Sequence, residues 1–518
     1  MATLYPISFI ISLAALSGWF FFRDREDKGN LFRKIFFGSF ILYGASWFLN
    51  DGAMSYKMMA LGREMLILAT VPLFLSFFRK SNLVYMALLF AVLGALKYFY
   101  FENLKNTFPQ KKETISETYI TPPANIDLDK NGELLVEILD GHQLNEIQKL
   151  LDKYGLSAKR AFYPKDKNAT DLDDYFLLNI PAKNENNLGE IITALQKNNL
   201  IEWVEMNEQY ALSPLESVPQ RRLPKLNKKY GLNDPGLENL WGFEEMHISD
   251  LYDILQKNKP QKKALIAILD TGIDAGHEDI KANFKSLKSD YDSDAAGHGT
   301  HCAGIAAAVS NNNVGVASFS QNNDYVQVTS IKVLTGGGFG TQKMIIDGIL
   351  EAADAGADVL SLSLGGPSND SRQRAYKKAV AYANKKGAIV VVAAGNSNRN
   401  AKEFAPANTP GVITVSAVDT LLNRASFSNI VADMKMGVAA PGVNIYSTFP
   451  GGQYRSLNGT SMATPYVAGL LGLMKSLQPK LTTKQAFDIL NKTGRDTGNT
   501  RETGKLIQPG GAVRELVK

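Results

Sequence analysis

Long apolar runs dominate the first hundred residues and are absent after them. The first, Leu4–Phe22, has 19 residues without a charge. Three further runs follow, at Ile35–Leu49, Met65–Phe78 and Leu83–Phe101. Crossing a bilayer takes about 20 apolar residues, and flanking lysines and arginines extend the shorter runs. The pattern predicts an all-α transmembrane region of about four helices over 1–101.

Basic residues between the runs predict an orientation for this region. They concentrate between runs one and two and between runs three and four, which would therefore face the cytoplasm. The N-terminus and everything after residue 102 would then lie outside the cytoplasm. The first run could instead be a secretory signal, but it lacks a basic start and a small-residue cleavage site before Trp19.

A polar linker at 102–130 leads to a module at 131–213 in which two periodicities alternate. Period-two stretches predict four strands, "ELLVEIL", "SAKRAFYP", "DYFLLNIP" and "IEWVEMNEQYAL". Helical periodicity predicts two helices, "QLNEIQKLLDKYG" and "NNLGEIITALQKNN". The resulting order, βαββαβ, is the ferredoxin-like α+β arrangement, which many unrelated functions use.

From about residue 260 continuous apolar runs alternate with helical segments. The runs are "ALIAILD", "VQVTSIKVL", "DVLSLSLGG", "AIVVVAAGN" and "GVITVSAV". Runs of this kind are typical of a parallel sheet covered on both faces, so we expect a doubly wound, mainly parallel α/β fold. Ligands of such sheets bind at the carboxyl ends of the strands.

Composition narrows these possibilities further. A length of 518 residues allows two to four domains, and the single cysteine, Cys302, excludes an intrachain disulfide framework. The formal charge of +5 comes without a basic stripe or an aromatic platform. We therefore predict no nucleic-acid partner.

Four polar residues occupy strand ends or helix starts where a core would not select them. Asp270 ends the first run, His298 opens an apolar helix, Asn396 follows a buried strand, and Ser461 stands in "NGTSMATPYVAG". Each has a structural alternative. Asp270 and Ser461 could be helix N-caps, Asn396 a turn residue, and His298 with His301 a zinc pair lacking its third ligand.

Taken together, these residues resemble the subtilisin-like serine proteases. The resemblance covers about 230–518 and rests on "LDTGID", "GHGTHCAG", "LSLSLGG", "AAGN" and "NGTSMATPYVAG". It implies that Asp270, His298 and Ser461 form a catalytic triad and that Asn396 contributes to the oxyanion hole. "NDPGLENLWGFEEM", at 233–246, is similar to the start of mature enzymes of this family.

The chemistry of these residue types agrees with that interpretation. A serine hydroxyl needs a general base within hydrogen-bond reach, which His298 would supply. Asp270 would hold the imidazole tautomer and stabilise the imidazolium. The amide of Asn396 and the backbone N–H of Ser461 would bind the tetrahedral oxyanion.

The resemblance also implies how peptide or protein substrates bind. Two segments would clasp an extended peptide by β-augmentation, and their residues are Gly338, Phe339, Gly340, Ser363, Leu364 and Gly365. No acidic cluster marks a pocket for basic side chains, so we expect broad or apolar preference. Cys302 resembles the cysteine beneath the histidine in a proteinase K-like branch, and we expect it to pack in the core.

A calcium ion is the cofactor that the resemblance implies. The expected ligands are Asp279, Val309, Asn311, Val314 and Val316, which combine a carboxylate, an amide and backbone carbonyls. The loop "VSNNNVGV" is one residue longer than the family pattern. The choice between Asn311 and Asn313 therefore stays open.

The family's inhibitory propeptides are small βαββαβ domains, so the resemblance assigns that role to 131–213. The segment 214–232 would be a processing linker and 233–518 the peptidase domain. First self-cleavage is expected between about Tyr210 and Leu223. The chain would then be a membrane-tethered zymogen whose partners are a lipid bilayer, its own propeptide and its substrates.

Three other functions stay open from sequence. A pseudoprotease would keep the fold without turnover, although all four catalytic positions are intact. An acyl-transfer or cyclising enzyme would share the triad. A membrane sensor or transporter would place its function in 1–101, where only Arg63, Glu64 and Lys97 are ionisable near the runs' edges.

Overall fold

A computed structural model describes residues 4–49, 54–78, 81–96, 127–213, 215–219, 229–368 and 373–518. The chain divides into two units, Met1–Tyr119 and Ile120–Lys518. Nearly all of the predicted linker at 102–130 lies outside the described residues, as does the whole segment 220–228.

The first unit consists of helices. They are α1 (Leu4–Phe21), α2 (Glu26–Leu49), α3 (Met54–Ser76) and α4 (Asn82–Ala95). Phe9, Leu13, Tyr43 and Leu68 form its main apolar cluster. Tyr43 also donates a 2.5 Å hydrogen bond to the buried carboxylate of Glu64.

These helices do not support the prediction of four membrane spans over 1–101. Among the described residues, none of the helices has both the length and the apolar character that crossing a membrane requires. Charged residues open α2 and interrupt α3. The 14 residues of α4 extend only about 21 Å, compared with a hydrocarbon core of about 30 Å. Part of the fourth predicted run, 97–101, lies outside the described residues.

The second unit begins with a four-stranded antiparallel sheet and two helices, here called the N-terminal module (127–213). Its strands pair in the order β2-β3-β1-β4. The elements, in chain order, are β1 (Leu134–Ile138), α5 (Gln148–Tyr154), β2 (Ser157–Arg160), β3 (Tyr175–Asn179), α6 (Leu188–Gln196) and β4 (Ile201–Met206). The connectivity is therefore βαββαβ.

Side chains of this sheet alternate between two apolar clusters. Leu134 and Val136 pack with α5 and α6, whereas Leu135 and Leu177 point the other way, toward the rest of the second unit. A strand has a period of two, so one sheet forms both the module's own core and a docking face.

A seven-stranded sheet lies at the centre of the remaining chain. Its order is β17-β14-β13-β11-β9-β6-β7, and all neighbouring strands are parallel. The bounds are β6 (Ala264–Asp270), β7 (Val326–Lys332), β9 (Val359–Leu362), β11 (Ile389–Ala393), β13 (Val412–Val418), β14 (Gly437–Pro441) and β17 (Lys505–Leu506). The predicted parallel α/β sheet is confirmed.

Helices cover both faces of this sheet. They are α7 (Trp241–Glu245), α8 (Ile248–Leu255), α9 (His298–Ala307), α10 (Gln342–Asp354), α11 (Arg374–Lys385), α12 (Thr460–Leu477), α13 (Thr483–Thr493), α14 (Thr500–Thr503) and α15 (Pro509–Leu516). Residues of α9 and α12 pack with Ile266 and Ile268. Residues of α10 and α11 pack with Leu265 and Leu269 on the opposite face. The central strands β6, β9, β11 and β13 are largely apolar because each is buried on both sides.

Three antiparallel strand pairs lie outside the large sheet. They are β5 (Gln209–Ala211) with β8 (Phe339–Thr341), β10 (Gly366–Pro367) with β12 (Phe404–Ala405), and β15 (Ile445–Phe449) with β16 (Gln453–Leu457). The predicted single strand "IEWVEMNEQYAL" is thus two strands. It breaks after Met206, and β5 leaves the module to pair with β8.

Candidate active site

The carboxyl end of β6 brings a buried carboxylate to a histidine. Asp270 is the last residue of β6, and His298 is the first residue of α9. His298 Nδ1 lies 2.7 Å from Asp270 Oδ1 and 2.9 Å from Oδ2. Burial is the largest single effect on the pKa of His298 and lowers it. The charge and hydrogen bond of Asp270, with a smaller contribution from the charge of Asp294, together raise this pKa above its usual value.

The other nearby histidine does not share a ligand with His298. His301 Nε2 lies 3.0 Å from the carbonyl oxygen of Arg455, whereas His298 is bonded to Asp270. Burial lowers the pKa of His301 to about 3. The zinc-pair alternative is not favoured, because the two imidazoles are held by different partners.

Ser461 lies in the first turn of α12, directly after Gly459 and Thr460. Its hydroxyl donates to the Ser363 carbonyl at 3.1 Å, and the Ser363 hydroxyl donates to the Ser461 carbonyl at 2.8 Å. Cys302 Sγ, one turn along α9 from His298, also donates to the Ser461 carbonyl at 3.4 Å. The Cys302 contact connects the start of α12 to the helix that carries His298, and the two Ser363 bonds connect it to the carboxyl end of β9.

Asn396 is oriented by hydrogen bonds to one end of its amide. Its Oδ1 accepts the Thr460 N–H at 2.9 Å and the Thr460 hydroxyl at 2.8 Å. Both bonds use the oxygen, so the Nδ2 donors remain for another partner. Asn396 and Ser461 line the same cleft, whose volume is about 220 Å³.

The chain's own strand β5 runs along this cleft. Tyr210 is paired with Gly340, Ala211 with Phe339, and the Leu212 N–H donates to the Gly338 carbonyl at 2.9 Å. Ser363, Leu364 and Gly365 line the cleft together with residues 209–213. All six predicted substrate-binding residues therefore surround one extended segment. Further along, the Val218 N–H donates to the Ser456 carbonyl at 3.0 Å.

Tyr210 enters a pocket that a glycine leaves open. A Cβ built on Gly366 would lie 2.5 Å from the Tyr210 ring. The ring is 5% exposed, and its hydroxyl donates to Glu208 at 3.1 Å. The close approach of ring and backbone requires glycine at 366.

Buried carboxylates attach the N-terminal module to the start of α11. Glu137, 2% exposed at its side chain, lies 2.5 Å from Lys378 Nζ and 3.1 Å from Arg374 Nε. Glu205 accepts the backbone N–H groups of Arg374 and Ala375 at 3.0 and 3.1 Å. Burial raises the pKa of Glu205 to about 7. Glu205 thus caps a helix of the large domain from outside that domain.

Asn207 caps the neighbouring helix in the same way. Its Oδ1 accepts the Lys343 N–H, in the first turn of α10, at 3.0 Å. Its Nδ2 donates to the Gly132 carbonyl within the module at 2.8 Å. These bonds explain why the predicted strand breaks here, since the residue has turned to face α10.

The predicted calcium loop surrounds Asp279. This carboxylate is fully buried; its Oδ2 accepts the Val316 N–H at 2.7 Å, and its Oδ1 accepts Asn312 Nδ2 at 2.9 Å. Burial raises the pKa of Asp279 to about 7. The side chain that contacts Asp279 is that of Asn312 and not that of Asn311 or Asn313, while the amide ligand of a calcium ion stays a prediction.

The backbone of the loop explains why Asn312, and not a neighbouring asparagine, contacts Asp279. Asn311 and Asn313 both have positive φ, 62° and 66°, and their backbone N–H groups bond to Asp234 and Asn233. Asn312 between them directs its side chain to Asp279. A buried carboxylate beside an amide provides the oxygen chemistry that Ca²⁺ takes, and a flip of Asn312 would present its Oδ1.

Sequence reasoning also missed Asp294, which is 7% exposed and lies four residues before His298. An acidic residue shortly before the glycine-flanked start of α9 was a signal for it, because helix starts favour such side chains. Cys302 is fully buried.

A family model described as "Peptidase_S8: Subtilase family" matches residues 261–505. Subtilisin DY of Bacillus licheniformis is 44% identical over 247 residues, 46% of this chain and 86% of the relative. Thermitase of Thermoactinomyces vulgaris is 41% identical over 253 residues, 48% of this chain and 86% of the relative. A thermophilic serine proteinase of Bacillus sp. (strain AK1) is 32% identical over 416 residues, 78% of this chain and 93% of the relative. The chain therefore belongs to the subtilase family and is a serine peptidase, a hydrolase of peptide bonds.

Proposed function

We propose that this chain is an endopeptidase in which Asp270, His298 and Ser461 act as the catalytic triad. The observation that carries the proposal is the buried pair in which His298 Nδ1 meets both oxygens of Asp270, 2.7 and 2.9 Å away. With Nδ1 engaged, Nε2 is the nitrogen that would accept the serine proton. The helix that bears His298 bonds to the backbone of Ser461 through Cys302.

Proton transfer begins with the Ser461 hydroxyl. It donates to the Ser363 carbonyl in this structure, so rotation about its side chain is needed to direct the proton to His298. As Oγ attacks the scissile carbonyl carbon, the proton passes to Nε2, and Asp270 stabilises the imidazolium. The imidazolium then protonates the leaving amine, and water releases the acyl group from Ser461 by the same route.

The oxyanion of the tetrahedral intermediate would be bound by two donors. One is Asn396 Nδ2, which is free because Thr460 engages Oδ1. The other is the backbone N–H of Ser461 in the first turn of α12, where the helix dipole favours negative charge. Substrate would pair with Gly338–Gly340 as β5 does.

Mutation of Ser461 tests this proposal. The full wild-type chain and the full-length Ser461→Ala variant are each assayed for self-cleavage and for hydrolysis of an unfolded protein such as casein. Hydrolysis should be lost in the variant, because alanine removes only the nucleophilic hydroxyl. Turnover by the variant at a rate near wild type would exclude Ser461 as the nucleophile.

The N-terminal module would act as an inhibitory propeptide. Three observations support this: β5 occupies the cleft beside Ser461, Glu205 and Asn207 cap α11 and α10, and Glu137 pairs with Lys378. The match to the thermophilic serine proteinase covers 78% of this chain, which is longer than 233–518 alone. Self-cleavage would fall between about Tyr210 and Leu223.

Calcium would bind at Asp279. Asn312 and the carbonyls of Val309, Val314 and Val316 would complete an oxygen ligand set. Asp279 forms no ion pair within the described part of the chain, so a cation would compensate a buried charge. The ion would stabilise the loop at 309–316 and take no part in the reaction.

A lipid bilayer would be the partner of the first unit. Large apolar side chains are exposed on its helices, among them Phe37, Ile41, Leu66, Phe77 and Phe90, which are 52–78% exposed. Exposed apolar surface of this extent favours a lipid or protein partner. Binding of the full chain to lipid vesicles in a flotation assay tests this, and a chain that stays at the bottom of the gradient contradicts it. The location of the peptidase domain outside the cytoplasm stays a prediction.

A further inference from the structure

A second buried carboxylate lies beside the pair formed by Asp270 and His298. The oxygens of Asp294 accept five hydrogen bonds. All five donors are backbone N–H or threonine O–H groups. No lysine or arginine of the described residues pairs with Asp294, so its negative charge is uncompensated by a cation.

Thr271 connects Asp294 to Asp270. The Thr271 hydroxyl donates to Asp294 Oδ1 at 2.8 Å and lies 3.3 Å from Asp270 Oδ1. The Thr271 N–H donates to the same oxygen of Asp270 at 2.8 Å. Any displacement of Asp294 would therefore move the residue that holds the Asp270 carboxylate.

Asp294 is also bonded to the helix that begins with His298. It accepts the Gly297 N–H at 2.9 Å and the Thr300 N–H and hydroxyl at 2.9 and 2.8 Å. The N-cap residue of α9 is Gly297, which has no side chain to satisfy these donors. Asp294 takes that function, and the positive end of α9 stabilises its charge.

We propose that Asp294 is a positioning residue of the active site, which fixes Asp270 and His298 relative to each other and whose charge stabilises the His298 imidazolium. Asp294 would act through Thr271 and α9 and would not touch the substrate. The inference rests on the proposed catalytic role of His298.

Other titratable groups around His298 are few. On α9 they are His301 and Cys302, both fully buried. Lys332 lies opposite Asp270 on β7, but its ammonium donates to the Asp290 carbonyl at 2.9 Å. Asp270 and Asp294 are therefore the negative charges that act on His298; both raise its pKa and oppose burial, which lowers it.

The pH profile of Asp294→Asn tests this role. The full chain is matured, and kcat/KM for a peptide substrate is measured across the acid limb. Removal of the negative charge should move that limb to lower pH by roughly half a unit or more, because the imidazolium loses a stabilising charge. The variant should also lose at least about tenfold in kcat, because an amide keeps only one acceptor oxygen and cannot bond to Thr271 and to Thr300 at the same time.

Two further variants separate charge from position. Thr271→Val removes the hydroxyl that joins Asp294 to Asp270 and keeps the negative charge of Asp294. We therefore expect kcat to fall while the acid limb stays at the wild-type pH. Asp358→Asn makes the same charge change at the amino end of β6, where Asp358 accepts the Leu265 N–H at 3.0 Å. Asp358→Asn should leave the pH of the acid limb unchanged, since the length of β6 separates residue 358 from Asp270.

The outcomes distinguish this inference from the proposed function. Asp294→Asn with reduced kcat and an unshifted limb would overturn the electrostatic role. If Asp294→Asn does not fold, Thr271→Val decides the positioning role, and a wild-type kcat in that variant would refute it. A wild-type enzyme that hydrolyses nothing would contradict the proposed function itself.

Discussion

At the scale of single residues, His298 is subject to two opposing effects. Burial disfavours its charged form, and the carboxylate of Asp270 at 2.7 Å favours it. Together with the weaker effect of Asp294, this carboxylate outweighs burial, so the pKa of His298 lies above its usual value of 6.5. A general base must be neutral, and His298 is neutral only above that pKa.

The pH dependence follows from this sign. We expect kcat/KM of the matured enzyme to fall as pH decreases through a midpoint above about 6.5, because protonation removes the base. The measurement is hydrolysis of a peptide substrate that has no titratable group in this range. A midpoint clearly below 6.5 would mean that Asp270 does not favour the charged imidazole in the active enzyme.

Asn396 provides a second prediction for single residues. Asn396→Leu keeps the approximate size and removes the Nδ2 donor, so kcat should fall roughly 100- to 1000-fold with little change in KM. This magnitude is the one known for loss of an oxyanion-hole donor in subtilisin, a member of the family. Asn400→Leu is the matched control, since Asn400 is not among the residues that line the cleft. Equal kcat in the two variants would remove Asn396 from the oxyanion hole.

At the scale of elements, the loop at 309–316 is the part of the fold that the proposed calcium ion would stabilise. Its position depends on Asp279, a buried carboxylate without a cationic partner in the described chain. An ion that binds only the folded state, at a free concentration of 100 times its Kd, adds about 2.7 kcal/mol to the free energy of unfolding. For a domain of this size, that corresponds to roughly 5–10 °C in Tm.

The calcium prediction is therefore a change in melting temperature. Excess chelator should lower the Tm of the wild-type enzyme and leave that of Asp279→Asn unchanged, as measured by calorimetry. Asp347→Asn changes a carboxylate that is 42% exposed on α10, and its Tm should stay sensitive to chelator. A wild-type Tm that does not respond to chelator would exclude calcium at this loop.

Elements buried on both faces were predictable from the sequence, and those defined by contacts between domains were not. The strands β6, β9, β11 and β13 are continuous apolar runs, because helices cover both of their faces. The break before β5 depends on the turn of Asn207 toward α10, which no local pattern encodes. Asn312 was missed because the positive φ of its neighbours determines which asparagine faces Asp279.

At the scale of the whole second unit, the N-terminal module and the large domain share helix caps. Glu205 satisfies two N–H groups of α11 that lack a partner within their own domain. Removal of a cap costs about 1 kcal/mol, and buried donors left without acceptors add to that cost. The caps should therefore hold the module in place while β5 occupies the cleft.

Glu205→Ala tests this arrangement in the full chain. The variant should shorten the lag before peptidase activity appears, because the module dissociates more readily after cleavage. Glu202→Ala is the control on the same strand; it removes a partly exposed ion pair with Arg374, which contributes little. Equal lags for wild type and Glu205→Ala would show that the module is not held by this cap.

The helices of the first unit were predicted less well from the sequence than the sheets of the second unit. Apolar runs alone predicted four spans, yet α2 begins within the charged segment before Ile35, and α4 has only 14 residues. The proposed active-site residues were more predictable, because Asp270 and Asn396 lie at or just after the ends of strands that the apolar pattern defines. Asp294 was missed since its role depends on five hydrogen bonds that form only in the folded loop.

The central claim is that Ser461 is the nucleophile, and the most direct measurement is to locate a covalent adduct. The matured enzyme is treated with a fluorophosphonate, digested, and sequenced by mass spectrometry, beside a heat-denatured sample and Ser461→Ala. We expect one phosphonyl adduct, on Ser461, in the folded wild-type enzyme and none in either control, because only a serine activated by His298 reacts. An adduct on another serine, or none in an enzyme that hydrolyses peptides, would contradict the account.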